Sequence, residues 1–165
     1  MSRSPLFLIG IGQDSHRLIT AENQEKLFLG GLPFACGLKF EANSDGDIVL
    51  HALCNAISTA LGGGSFSTIA DSLCQSGVTD SKAYLQPFLQ QLQQRSYRLS
   101  NLSISVEGLQ PKLEKYNLAI RKSLAHLLNL PVEFIGLAFT TGEQLTACGQ
   151  GEGMSATVII SLEHY

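Results

Sequence analysis

The sequence predicts an α/β (α+β) fold, a two-layer sandwich in which a mixed β-sheet is covered by helices on one face. Three observations point there. Short apolar runs of strand length recur along the chain, among them LFLIGIG, FIGLAFTT and ATVIISL. Amphipathic helical stretches lie between them, for instance the stripe of Ile120, Leu124, Leu127 and Leu128. The elements alternate in the order β β(β) α α β α β β, and one sheet with helices packed on it is the simplest way to bury both kinds of apolar surface. The 165 residues suit a single domain, 1–165, and show no internal repeat, low-complexity tract or linker.

Each element has a local reason. Residues 6–12 read as a buried strand. KLFLGGLPFA, 26–35, reads as strand, Gly-Gly turn and short strand. NSDGD then opens a helix to about Leu61, with Ser44 as N-cap and Asp47 completing an acidic capping box. GGGSFST, 62–68, reads as a flexible loop. Asp80-Ser81 starts a second helix to about Arg95. LSISVEG, 102–108, alternates as a half-exposed strand, and Pro111 is placed as a first helical residue. Strands at 134–141 and 156–162 close the chain.

Composition narrows the function classes. Charged residues are 15% of the chain, against about 25% in typical soluble proteins, and hydrophobic residues are 44%. A surface this poor in charge points to coverage by partner subunits, most simply a homo-oligomer. The net charge is −3 with no Lys/Arg cluster, which argues against a nucleic-acid partner. No apolar run approaches the ~20 residues that span a bilayer. MSRSPLFLIGIGQ has no small-residue cleavage site and reads as the lead-in to a first strand rather than a signal peptide. Cys36, Cys54, Cys74 and Cys148 form no C-x-x-C motif, so reduced thiols in a cytoplasmic protein are expected.

The chemistry gathers in two stretches. In QDSH, Asp14 and His16 are two apart, so a strand presents both on one face. In NSDGDIVLHAL, Asp47, His51 and Asn55 follow at i, i+4 and i+8, a polar seam on an otherwise apolar helix. Asp14, His16 and His51 would make a three-ligand zinc site with an open position, the catalytic type. Each also has an ordinary structural reading, as an exposed strand-end pair and a boundary histidine. Ser44 and the free N–H groups of the helix start form an anion site, and a metal beside an anion site points to phosphate chemistry. In the second half, Pro111-Lys112 leave a strand. Thr140, Thr141 and Glu143 precede the glycines of GQGEG, a set suited to a diphosphate with a hard cation such as magnesium.

Taken in order, Asp14-x-His16, Ser44-Asp45-Gly46-Asp47 with His51, Pro111-Lys112, Thr140-Thr141-x-Glu143 and Gly151-Glu152-Gly153 resemble the 2-C-methyl-D-erythritol 2,4-cyclodiphosphate synthase family over residues 9–162. The resemblance implies cyclisation of 4-diphosphocytidyl-2-C-methyl-D-erythritol 2-phosphate with release of CMP, in non-mevalonate isoprenoid biosynthesis. It implies zinc on Asp14, His16 and His51, and magnesium or manganese near Glu143. Thr141 and Asn43 are implied as the catalytic, transition-state positions. The implied substrate contacts are Asp14, Ser15, His16, Asn43, Ser44, Ser65, Phe66, Ser67, Pro111, Lys112, Leu113, Thr140, Thr141, Gly142, Glu143 and Gln150. It also implies a homotrimer with active sites between subunits, and no nucleic-acid or membrane partner. The chain departs from the family pattern at Asn43, where histidine is usual, and at Gly142, where a third threonine is common. Gln150 stands for an arginine, and the 62–68 segment lacks the family's acidic groups. Other readings of the same residues are a diverged trimer that only binds zinc and a cytidine nucleotide, and a metal-dependent nucleoside-diphosphate hydrolase.

Overall fold

The structure, a computed structural model, describes residues 5–165; residues 1–4, which open the stretch read as a lead-in to the first strand, lie outside them. The strands are β1 (Phe7–Thr20), β2 (Leu27–Leu29), β3 (Leu32–Phe34), β4 (Leu38–Phe40), β5 (Tyr97–Glu107), β6 (Ile135–Thr140) and β7 (Gly153–His164). The helices are α1 (Ile48–Ala60), α2 (Ser67–Gln75), α3 (Ser81–Gln94) and α4 (Asn117–Leu128). The main sheet runs β4-β1-β7-β5-β6, antiparallel except for the parallel β5/β6 pair, and β2-β3 form a separate hairpin. Helix α1 packs on β1 and β7, α3 on β5 and α4 on β6. The expected two-layer sandwich with a mixed sheet is the observed architecture.

Among the described residues, the other face of the sheet carries no helix. Along β1, alternate side chains point that way, and Phe7, Ile9 and Ile11 are 67%, 76% and 58% exposed. The reading of 6–12 as a buried strand therefore holds for only one of its faces in the single chain. The open-face positions of the run are large and apolar, while its helix-facing positions are Leu8, which packs against the core, and then Gly10 and Gly12.

Those glycines bring α1 against the strand. A Cβ on Gly10 would run into the carbonyl of Ala56, and one on Gly12 into the carbonyl of Ala52. Polar side chains on successive turns of α1 then reach the edge of the β1 backbone. Thr59 Oγ1 donates to the Ile11 carbonyl at 2.7 Å, and Asn55 Nδ2 to the Gln13 carbonyl at 3.1 Å.

Four local expectations are corrected. The N-cap of α1 is Asp47, not Ser44. Its buried carboxylate accepts from Val49 N–H and Leu50 N–H at 3.2 and 3.1 Å, and from Gly30 N–H and Gly31 N–H of the β2–β3 turn at 2.9 and 2.7 Å. Burial pushes this carboxyl upward, and the N–H donors of Gly31, Leu50 and Gly30 pull it partly back. Ser44 instead accepts from Gly46 N–H in a local turn at 3.2 Å. Ser67 and Thr68, placed in a flexible loop, open α2, whose Ile69 packs on the core. The loop before it is fastened by Phe66 N–H to Asn55 Oδ1 at 3.0 Å and Ser58 Oγ to the Gly64 carbonyl at 2.6 Å. Pro111 lies in a bend rather than at a helix start, because Leu109 N–H donates to the Cys148 carbonyl at 3.2 Å and ties the segment to the later loop. Strand β1 runs on to Thr20, held by β7 as far as Arg17 and by β4 over Leu18–Thr20, so Asp14 and His16 sit within a strand rather than at its end.

Gly12→Ala is expected to cost about 1–3 kcal/mol or more, because the methyl must push α1 off β1. Urea denaturation of the variant against the wild type measures this; a loss below about 0.5 kcal/mol contradicts the packing described.

Candidate metal centre and phosphate site

Asp14 and His16 project from β1 on the face that carries Gly10 and Gly12, and His51 comes from the first turns of α1. The three ligand atoms lie within 4.8 Å of one another. Asp14 Oδ2 is 3.0 Å from His51 Nδ1 and 3.3 Å from His16 Nε2. The second approach is not aligned as a hydrogen bond, and His16 Nε2 is a buried nitrogen without a hydrogen-bond partner. A buried, unpartnered imidazole nitrogen beside a carboxylate and a second imidazole fits a divalent cation held by all three. Burial acts to raise the Asp14 carboxyl, but the adjoining imidazoles of His16 and His51 outweigh it and hold the group down at about 2. The carboxylate is thus ionised whenever a cation arrives.

The ring of His51 is enclosed. It stacks on Tyr84 at 5.9 Å between centroids with 13° between planes, and Phe66 lies against it at 5.0 Å. Its Nε2 is 2.8 Å from Ser81 Oγ, whose hydroxyl donates in a short hydrogen bond to Asp45 Oδ1.

A cavity of about 230 Å³ opens onto the three ligands. Of the residues read from sequence, Asn43, Ser44, Phe66 and Ser67 line it with Asp14, His16 and His51. Ser15 points to the opposite face of the sheet and takes no part in it. Ser65 is not in the cavity wall and bonds to Ser67 within its loop. The wall also holds Asp71 and Cys74 of α2 and Tyr84 of α3, which sequence reasoning missed. The missing signal was α2 itself, since the glycine run masked the helix that follows it. Asp45 and Ser81 were also missed as partners of His51. One signal was available for Ser81: Asp80 caps α3 by accepting from Lys82 N–H at 2.9 Å, which leaves the next hydroxyl free for another task.

The second cluster lies elsewhere in the chain. Glu107 at the end of β5 pairs with Thr140 at the end of β6, and Gly108 N–H donates to the Thr140 carbonyl at 3.0 Å. This brings Pro111, Lys112, Thr140, Thr141, Gly142 and Glu143 to one end of the parallel pair. Thr140 Oγ1 accepts from Gly142 N–H at 3.0 Å, and Glu143 is exposed with φ 50°. Gln150 Nε2 donates to the Gln144 carbonyl at 3.2 Å, which fastens the same loop. Leu113 is buried in the core, so only its backbone is left for a ligand. β6 stands three strand positions from β1, a separation of roughly 14 Å at ~4.8 Å per strand. Among the described residues, the cavity at the three ligands is not lined by the second cluster.

The YgbB family model matches residues 7–163. The chain belongs to the YgbB family. Among curated relatives, the 2-C-methyl-D-erythritol 2,4-cyclodiphosphate synthase of Chlamydia trachomatis serovar L2b is 41% identical over 161 residues, covering 97% of this chain and 90% of the relative. That of Chlamydia caviae is 37% identical over 161 residues, covering 97% of this chain and 91% of the relative. Solved structures of the family agree in fold. IspF of Plasmodium falciparum in its CDP complex superimposes with a TM-score of 0.82 at 25% identity over 96% of both chains. A CDP-bound 2C-methyl-D-erythritol-2,4-cyclodiphosphate synthase gives 0.84 at 31% identity, over 94% of this chain and 99% of the other. The resemblance carried by the short motifs thus extends through the fold.

The pH dependence of the metal-free fold tests the charge state of Asp14. A depressed folded-state pKa contributes stability that is present above the ordinary carboxylate value near 4 and lost as pH falls toward about 2. Urea denaturation with chelator present is expected to show this acid-side loss in the wild type and a flatter profile across that window for Asp14→Asn. Parallel profiles would contradict it.

Proposed function

We propose that this chain cyclises 4-diphosphocytidyl-2-C-methyl-D-erythritol 2-phosphate to 2-C-methyl-D-erythritol 2,4-cyclodiphosphate. An oxygen of the 2-phosphate attacks the β-phosphorus, the bond from that phosphorus to the CMP oxygen breaks, and CMP leaves. The observation that carries this reading is the convergence of Asp14, His16 and His51 on one cavity, in a chain whose curated relatives bear the name of that synthase.

Zinc is the cation we assign to the three ligands, from the two imidazoles and one carboxylate. When bound, it supplies positive charge that polarises a phosphate and offsets the charge of the displacement. The remaining work falls to the chain's own side chains. Asn43 offers an amide and Ser44 a hydroxyl to a phosphate or diol in the same cavity. Lys112 and the backbone at Pro111 and Leu113 are assigned to the cytidine end. Thr140, Thr141 and Gly142 are assigned to the diphosphate, with Thr141 steadying it in the transition state. Glu143 is assigned to a magnesium or manganese ion on that diphosphate. The attack is intramolecular, so much of the rate comes from holding two phosphates in line.

A homotrimer, with each site shared between neighbours, accounts for two features together. It covers the open face bearing Phe7, Ile9 and Ile11. It also gives the Thr140–Glu143 cluster of one chain a route to the metal ligands of the next, which the sheet of a single chain keeps apart. The chemistry belongs in the cytoplasm, where the free thiols of Cys36, Cys54, Cys74 and Cys148 remain reduced.

Metal-loaded protein is expected to release CMP from the named substrate, with a cyclic diphosphate seen by phosphorus NMR. His16→Ala should lower turnover by at least about 100-fold, the loss of a ligand to an ion worth several kcal/mol of charge stabilisation. A linear 2,4-bisphosphate product, with water rather than the 2-phosphate having displaced CMP, would favour the hydrolase instead, and no CMP release at all would overturn both. Sedimentation tests the assembly: the wild type should run as a trimer and Ile9→Glu should dissociate it, whereas a monomeric wild type contradicts the shared site.

A further inference from the structure

We infer that Ser81, held by Asp45, is a positioning residue that fixes the ring of His51 so that Nδ1, and not Nε2, is offered to a metal ion. The inference rests on the reading of Asp14, His16 and His51 as a metal site, and extends it to two residues outside that set.

The hydrogen-bond inventory leads to it. A carboxylate is acceptor-only, and a serine hydroxyl has one hydrogen to give. Asp45 spends both oxygens on its surroundings. Oδ1 accepts from Asp47 N–H at 3.1 Å and from the Ser81 hydroxyl, and Oδ2 accepts from Ser81 N–H at 3.0 Å. The Asp45 N–H donates in turn to the Thr79 carbonyl at 2.9 Å, so the acid is anchored on the segment that leads into α3. With its hydrogen committed to Asp45, Ser81 Oγ can only accept from His51 Nε2, 2.8 Å away. The proton of the neutral ring is therefore on Nε2, and Nδ1 carries a lone pair.

That lone pair faces Asp14 Oδ2 at 3.0 Å. Two acceptors this close repel each other unless something positive is shared between them, a second ring proton in the metal-free protein or a metal ion in its place. A divalent cation drawing on Asp14, His16 and His51 answers that need with the lone pairs already aimed. Ser81 is fully buried, and the ring is clasped between Tyr84 and Phe66, so neither partner can turn away without breaking the packing. Asp45, Ser81 and His51 form a directed chain in which a carboxylate fixes a hydroxyl and the hydroxyl fixes a ligand, the outer-shell arrangement that raises ligand basicity and sets its orientation.

The two links fail differently. Ser81→Ala removes the acceptor and leaves Nε2–H unpaired in a buried place. Asp45→Asn puts an amide NH2 where a carboxylate oxygen accepts; it can donate to Ser81 Oγ, turn the hydroxyl hydrogen toward Nε2 and move the ring proton to Nδ1.

The experiment is zinc titration of the full chain against a chromophoric chelator, for wild type, Ser81→Ala and Asp45→Asn, with nitrogen-15 NMR of the histidine rings in the zinc-loaded wild type. Both variants are expected to bind zinc about 10–100-fold more weakly. The NMR should show His51 protonated at Nε2 and coordinated at Nδ1 in the wild type, and the same spectra of Ser81→Ala should show the Nε2–H resonance displaced, a change that a serine serving only to fill space would not produce. Coordination through Nε2 overturns the inference, as does zinc affinity within twofold of wild type in either variant. If one variant does not fold, the other and the ring spectra still decide. A wild type that binds no divalent ion overturns the metal reading itself and this inference with it, whereas metal binding without cyclisation leaves the inference standing and fails only the proposed reaction.

Discussion

The close approach of α1 to β1 sets the geometry on which the site depends. At Gly10 and Gly12 the strand has no side chain, and the carbonyls of Ala56 and Ala52 occupy the space. The strand period of two carries that same face onward to Asp14 and His16, and the helical period carries the matching seam back from Thr59 through Asn55 to His51. Thr59 meets the carbonyl of Ile11 and Asn55 that of Gln13, and His51 meets the side chain of Asp14. The ligand set is the polar end of a packing interface. Its precision comes from the helix and strand being too close to slide, which is how a site on rigid elements keeps its geometry.

Burial makes that arrangement costly unless every polar group is answered. Asp47 and Ser81 are fully buried and His51 nearly so. An unpaired charge or donor in such a place costs far more than a surface one. The chain answers with backbone N–H groups around Asp47, a hydroxyl and carboxylate behind His51, and two imidazoles around Asp14. Among the described side-chain nitrogens and oxygens that are buried, the one left over is His16 Nε2. A single unmet nitrogen in an otherwise satisfied network marks where a ligand belongs.

Periodicity and spacing made much of this legible. The i, i+2 pair in QDSH and the i+4 seam of the DGD…H helix depend only on local geometry, so the sequence carries them directly. What it hid was set by tertiary context. Asp47 caps α1 because the β2–β3 turn also needs an acceptor at that point, and no local pattern announces a turn from seventeen residues away. Helix α2 follows three glycines, whose low helix propensity conceals an ordinary amphipathic segment stabilised by packing. Ile9 and Ile11 look like core residues in the sequence, because an apolar residue reads the same whether a helix or a second chain will cover it.

That last ambiguity connects composition to chemistry. A sheet with helices on one side leaves an apolar face that a chain with only 15% charged residues cannot screen from water by itself. The strand order also parts the two reactive clusters, placing β1 and β6 three positions apart. One act of association answers both. In the proposed trimer the apolar faces are buried against each other, and the threonine–glutamate loop of one chain comes within reach of the metal ligands of another. Binding between the clusters would then stabilise the assembly as well as the substrate, since a ligand held by two chains favours the state in which they are joined. The metal ligands, by contrast, all come from one chain and are fixed by contacts within it. In the proposed trimer, holding the ion is therefore a property of the fold, while bringing a diphosphate to it would be a property of the assembly.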